Sequence, residues 1–241
     1  MDTVTAVLLI LVGFGAGFVQ RVSGFGLGIF AMIFMPHFMP SQTAAVVVSN
    51  LFSGGLTTYN ALYYRKDIAF KTALPMLIAA GVCIPPAVYC SQWVSGNLFS
   101  RLLGGVLIVL SVYFLLFSKK TTIRPTAFNG VFSGALSGIL GGLFSTSGPP
   151  AVLYLSSATP TPSVYFATIQ FFFCLTNLYT VATRAVNGDI SLVTLGYAAV
   201  GFLGCIAGNV VGRCLFKNLN AERLKQIIYI GMILSGLVMM L

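Results

Sequence analysis

The chain has 241 residues, of which 57% are hydrophobic and 7% charged, with a mean hydropathy of +0.95. A soluble domain of this length needs far more charge to cover its surface, so the composition excludes one. The net charge of +9 does not mark a nucleic-acid binder either, because the basic residues sit singly or in pairs at the ends of apolar runs, as in Arg65-Lys66, Lys119-Lys120 and Lys217, where they read as topology signals and lipid-headgroup contacts.

Runs of about 18 or more apolar residues read as membrane spans, and such runs recur along the whole chain. The expected class is an all-α integral membrane protein embedded in a lipid bilayer. The beginning of the chain shows no basic n-region and no small-residue cleavage site, so it does not read as a removed signal peptide. In chain order the apolar segments are 4–35, 42–64, 69–91 and 98–118, then a polar linker from Ser118 to Thr126, then 128–157, 162–183, 190–213 and 221–241.

The two sets repeat one another. Gly13 and Gly17 match Gly134 and Gly138 at an offset of 121, and the Ser23–Gly28 interruption falls opposite Ser145–Pro150. Asp67 matches Asp189, and Arg101 matches Arg223, at an offset of 122. An internal repeat of half the chain is a transporter signature. The expected organisation is a first membrane repeat over 1–118, a basic linker over 119–127 and a second repeat over 128–241, all in one membrane domain.

Charge orients the repeats. If segments 4–35 and 128–157 fold back at their interruptions, one face collects Arg65, Lys66, Lys71, Lys119, Lys120, Arg124, Arg213, Lys217, Arg223 and Lys225, while the other keeps Arg101 and Arg184. The positive-inside rule prefers this arrangement to single crossings, which divide the charges weakly. The expectation is two inverted repeats, each a broken or re-entrant hairpin plus three transmembrane helices, with the linker cytoplasmic.

The interruptions carry the chemistry. "SGFGLG" within Val19–Phe30 and "FSTSGPPAVLY" over Phe144–Tyr154 read as turns at hairpin tips. Glycine permits the turn, and Pro149 and Pro150 suit the first turn of a new helix. Irregular backbone at membrane depth survives only where it is buried in protein or lines a cavity. New helices are expected near Gly26 and near Pro150, their N-termini favouring an anion. Ser23, Ser145, Thr146 and Ser147 add hydroxyls, and Arg21 precedes the first turn. A charge at membrane depth is functional by default; a snorkelling arginine fits the same position. Ser49, Asn50 and Ser53 in one half, and Thr168, Gln170, Thr176 and Asn177 in the other, fit either substrate contacts or interhelical hydrogen bonds. Asn50 and Gln170 sit at similar places in the two repeats.

Other chemistry is thin. The acidic residues Asp2, Asp67, Asp189 and Glu222 sit at segment ends, so a mid-membrane proton carrier is not expected. The five cysteines form no CxxC pair and His37 is the single histidine, so neither a metal, nor a cofactor, nor catalysis is expected. Glycines at 130, 134, 138 and 142, and at 204, 208 and 212, suit close helix packing, within the chain or across a homodimer.

The motifs "GFGAGFVQRVSGFGLGIFAMIFMP" and "GALSGILGGLFSTSGPPAVLYL" resemble the paired glycine-rich motifs of the sulfite exporter TauE/SafE family, the YfcA-like permeases. The resemblance spans essentially the whole chain. It implies a permease of the bacterial inner membrane exporting sulfite, sulfoacetate or a related organosulfonate or carboxylate. By position it implies site residues Ser23, Gly24, Phe25, Gly26, Ser145, Thr146, Ser147, Gly148 and Pro149. Many members carry a fuller glycine run at the first tip, which Phe25 and Leu27 break here. A transporter of another carboxylate or of a neutral solute, or a non-transporting membrane subunit, is the alternative.

Overall fold

The computed structural model describes residues 2–117, 124–215 and 221–241. Lys119, Lys120 and Lys217, and with them most of the linker expected over 119–127, lie outside the described residues. Among the described residues there is no strand. The helices are α1 (Thr3–Ser23), α2 (Leu27–Phe34), α3 (Gln42–Tyr63), α4 (Phe70–Trp93), α5 (Gly96–Phe117), α6 (Ala127–Phe144), α7 (Gly148–Ala158), α8 (Pro162–Val186), α9 (Leu192–Leu215) and α10 (Ala221–Met240). A 3-10 turn over Met35–His37 extends α2, and another over Arg65–Asp67 follows α3.

Local sequence explains several helix starts. Ser41, Thr126 and Thr161 each accept a backbone N–H from the first turn of α3, α6 and α8, which replaces a missing intrahelical partner. Pro162 then occupies the first turn of α8, where its lack of an N–H costs nothing.

Six helices, α1, α4, α5, α6, α8 and α9, are long and apolar enough to cross a membrane. The chain is therefore a multi-pass membrane protein. Helix α3 has a span's length, 22 residues, but is too polar to join the six. It carries Ser49, Asn50, Ser53, Thr57 and Asn60, all buried. Its polar face is turned into the protein, while apolar residues such as Val82 on α4 and Leu203 on α9 point outward.

The packing is set by small residues. Built Cβ atoms on Gly13 and Gly17 of α1 would lie 2.1 Å from the carbonyl oxygens of Gly201 and Cys205, and those on Gly204 and Gly208 of α9 would strike Ile10 and Phe14. These contacts advance together, so α1 and α9 run parallel with backbones in contact. Gly134 and Gly138 of α6 meet Met76 and Ala80 of α4 in the same way. The four-residue glycine spacing is thus used inside the chain, and these faces offer a second copy nothing.

Helices α3 and α8 run antiparallel: Ser53 meets Asn177, Thr58 meets Cys174 and Asn60 meets Gln170. Helices α5 and α10 are antiparallel too, Gly104 lying against Gly236 and Ser111 against Tyr229. Helix α3 also runs parallel to α9, with Phe52 against Gly201 and Gly55 against Phe202. Both α1 and α3 are then parallel to α9, so α2 carries the chain back between them. Val19 facing Gly26 and Gly15 facing Phe30 mark that hairpin. In the second half Gly141 faces Ser147 and Gly130 faces Tyr154, and the Ser133 hydroxyl donates to the Pro150 carbonyl, so α7 folds back on α6.

Candidate functional site

Two helix breaks meet at the centre of the bundle. Helix α1 ends at Gly24, in the left-handed conformation at φ 79°, and Gly26 at φ 93° precedes α2. Two glycines in this region make the turn without Cβ strain. Helix α6 ends at Ser145, also left-handed at φ 57°. Among the described residues it is the one non-glycine at positive φ, a strained placement for an L-residue. Its hydroxyl lies 2.9 Å from the Asn50 Oδ1, to which it donates, and 2.9 Å from the Ser49 hydroxyl, and these contacts hold the strained residue in place.

The first tip is held in a matching way. The Gln170 Nε2 donates to the Gly24 carbonyl at 2.7 Å. The Gln170 Oε1 accepts from Asn60 Nδ2 and Gln20 Nε2, each at 3.2 Å. The Gln20 Oε1 accepts the Leu27 N–H at 3.3 Å, which engages one of the free donors at the start of α2. Each tip is thus held by a polar side chain of the other half. Asn50 and Gln170 each stand nine residues after the residue that caps the start of their helix, Ser41 and Thr161.

The tips touch. A Cβ on Gly28 would lie 1.9 Å from the Ser145 carbonyl oxygen, and Gly148 lies against the Phe25 ring. Between them is a gap lined by Gln20, Gly26, Ser53, Ser147, Gly148 and Phe173, among others, of about 10 Å³, room for roughly one water. Ser147 borders the gap, and its hydroxyl makes no hydrogen bond among the described residues. Asn50 Nδ2 is buried and unpartnered. Asn177 Nδ2 donates to the Ser53 hydroxyl at 3.2 Å and to the Phe173 carbonyl at 2.7 Å.

A second space lies on the far side of Asn60. It is about 450 Å³, runs between α1, α3 and α9, and is lined by Arg21, Tyr59, Asn60, Tyr64, Asn209 and Arg213 with apolar neighbours. Arg21 has no carboxylate partner among the described residues and rests over the Phe166 ring at 5.7 Å. Asn60 belongs both to this vestibule and to the Gln170 cluster. The cluster is therefore a polar wall between vestibule and gap.

The structure brings together Gly24, Phe25, Gly26, Ser145, Thr146, Ser147 and Gly148 at the tips, with Ser49, Asn50, Gln170 and Asn177 behind them. It separates others. Arg21 faces the vestibule. The Ser23 hydroxyl is taken up inside its own turn, at 2.7 Å from the Val19 carbonyl and 2.5 Å from that of Phe25. Pro149 is buried in α7 and does not border the gap. Helix α7 begins at Gly148, beside Pro150 as expected. Two of its first three positions are then prolines, which carry no N–H, so this N-terminus has fewer anion donors than expected and the serines carry more of the polarity. Gln20, Asn60 and Phe173 were not foreseen. Gln20 had a signal, a second polar residue beside Arg21 in an apolar run; Phe173 had none.

The buried helical bundle with a polar, broken-helix centre is that of a membrane transporter. The family model of the sulfite exporter TauE/SafE matches residues 9–239, nearly the whole chain, and the chain belongs to that family. It is accordingly a membrane transporter of sulfite-type anions and not an enzyme. No curated protein and no solved structure matches it.

Proposed function

We propose that the protein exports sulfite or a small organosulfonate such as sulfoacetate across the bacterial inner membrane, through a site between the two hairpin tips. The observation that carries this reading is the meeting of the tips themselves. Two breaks from opposite halves lie against each other at Gly28 and Ser145, and Ser147, whose hydroxyl has no hydrogen-bond partner among the described residues, borders the space between them. The substrate-binding set is Ser145, Thr146, Ser147, Gly148, Gly24, Phe25 and Gly26, supported by Ser49, Asn50, Gln170 and Asn177. Arg21 acts one step earlier, attracting the anion into the vestibule together with Arg213.

The halves are inverted repeats in this reading. Corresponding helices α3 and α8 lie antiparallel, as do α5 and α10, which supports a two-fold axis in the membrane plane rather than along its normal. The vestibule opens at the end of the bundle that carries Arg65 and Lys66, the cytoplasmic end by the positive-inside rule. With the gap at about 10 Å³, this is a state open toward the cytoplasm and closed between the tips. Alternating access moves the hairpin tips apart to admit the anion. An anion leaving a negative interior gains about 2.3 kcal/mol per charge per 100 mV, so potential-driven export needs no buried carboxylate.

The test is flux of labelled sulfite, sulfoacetate and taurine in proteoliposomes under an imposed potential, for wild type, Arg21→Ala and Ser147→Ala. Saturable, potential-sensitive movement of one anion, weakened in both variants, is the expected result. Movement that survives both substitutions removes the site from the tips. Movement of none of the three, with movement of a carboxylate or neutral solute, replaces the substrate class.

A further inference from the structure

Arg184 lies near the end of α8 and is 1% exposed, the largest fully buried side chain among the described residues. Its Nη1 pairs with Asp189 Oδ2 at 2.9 Å. Its Nη2 donates to the Gly142 carbonyl at 2.6 Å and reaches the Ser91 hydroxyl at 3.5 Å. Its Nε is buried and unpartnered. Gly142 stands one turn before the Ser145 tip on α6, so the guanidinium sits beside the second hairpin much as Arg21 sits beside the first.

The two arginines exchange places across the repeat. Counting back 121 from Gly142 reaches Arg21, and counting back 122 from Arg184, the offset that pairs Asp189 with Asp67, reaches Leu62. In the first half the cation is on the hairpin helix and leucine is on the helix opposite; in the second the cation is on the opposite helix and glycine is on the hairpin. Each tip therefore has one guanidinium on its own side of the bundle. Their surroundings differ. Arg21 borders an open vestibule with no carboxylate partner among the described residues. Arg184 is closed in by Asp189, which the left-handed turn at Gly188, φ 78°, brings back onto the helix end. Asp67, the counterpart of Asp189, accepts from Ser163 at 2.5 Å instead of from an arginine.

We propose that Arg184 is the outer anion station of the transport path, and that the Asp189 carboxylate occupies it while the protein is open toward the cytoplasm. A carboxylate and a sulfonate offer a guanidinium the same pair of anionic oxygens. In the outward-open state Asp189 swings away and the departing anion takes its place on Nη1 and on the unpartnered Nε. The exchange keeps the buried cation paired throughout, which a charge in this setting demands. Asp189 is thereby the latch, competing with cargo for one site. The inference rests on the anion-export reading, and its test separates the two.

The test uses full-length protein in proteoliposomes with the native cysteines replaced by alanine and Ser91→Cys added, since Ser91 touches Arg184 and is only 8% exposed. Labelling by an impermeant thiol reagent from the Gly188 side reports opening. With Asp189 intact, labelling is slow. Adding Asp189→Asn speeds it at least tenfold, and methanesulfonate then slows it again in a saturable manner. In the Arg184→Gln/Asp189→Asn double variant, whose two amides can still hydrogen-bond and keep the corner folded, labelling is fast and methanesulfonate has no effect. Unchanged labelling on Asp189→Asn overturns the latch. Fast labelling that methanesulfonate fails to slow, or slows equally without Arg184, overturns the anion station. The labelling needs no transported substrate, so failure of sulfite or sulfonate flux in the wild type counts against the export reading alone.

Discussion

Gln170 on α8 donates through Nε2 to the carbonyl of Gly24 at 2.7 Å, across 146 positions of sequence. That carbonyl belongs to the residue that ends α1, one of those a helix terminus leaves without an intrahelical partner. The first tip is thus closed by a side chain from the opposite half. Three groups depend on one amide, because Asn60 and Gln20 donate to the same Gln170 oxygen.

Gln170→Leu therefore leaves Asn60 Nδ2 without its partner, and the Gly24 carbonyl and Gln20 Nε2 with only their long 3.4 Å bond to each other, in a buried place. One unsatisfied buried group costs about 1–3 kcal/mol. The variant is expected to melt several degrees lower in detergent and to leak anion between vestibule and gap. Thermal unfolding of the purified protein, with passive anion flux in liposomes, checks both.

Gly28→Ala drives a methyl group into the Ser145 carbonyl, 1.9 Å from where its Cβ would be. Overpacking of this kind costs roughly 1–3 kcal/mol, and here the strain falls on the contact between the tips. Transport is expected to fall by an order of magnitude or more. Gly105→Ala, whose Cβ would meet nothing within 4 Å, is expected to leave flux unchanged in the same assay.

Ser147→Ala and Ser23→Ala separate binding from folding. Ser147 borders the gap and its hydroxyl has no hydrogen-bond partner among the described residues, so its loss is expected to leave the melting temperature unchanged. A hydrogen bond to a charged group contributes about 1.5–3 kcal/mol, so half-saturation for the transported anion should rise about 10- to 100-fold. Ser23 bridges its own turn. Its loss is expected to lower stability, with little change in half-saturation. Concentration-dependent flux and unfolding curves on both variants decide it.

Orientation is testable with single cysteines. Gln92 donates to Asp189 at 3.1 Å, which places the end of α4 beside the turn after α8. Ser163 donates to Asp67, which places the start of α8 at the opposite end. In cells, an impermeant thiol reagent is expected to label Ser95→Cys and Gly188→Cys, and to label Lys66→Cys and Thr126→Cys only after permeabilisation. The reverse pattern would invert the direction assigned to export.

Much of the architecture was legible because it rests on local signals. Gly24, Gly26 and the Ser145–Pro150 stretch mark the breaks, since turn geometry depends on the residues that make it. Helix α7 starts beside Pro150 as expected, with Pro149 and Pro150 in its first turn.

Hydropathy, and the glycines, serines and prolines that interrupt it, read without any structure, determined the membrane class and the sites of the breaks, because a bilayer acts on each segment separately. Tertiary structure decided which side chains serve the tips. It withdrew Ser23 into its turn, moved Arg21 to the vestibule, brought Gln20 and Asn60 onto Gln170, and buried Arg184 against Asp189. Those roles depend on α3 docking antiparallel to α8 and on backbone contact at Gly13, Gly17, Gly134 and Gly138. Such partners are chosen by packing between elements a hundred residues or more apart, and a residue's own neighbours in the chain carry no record of that choice.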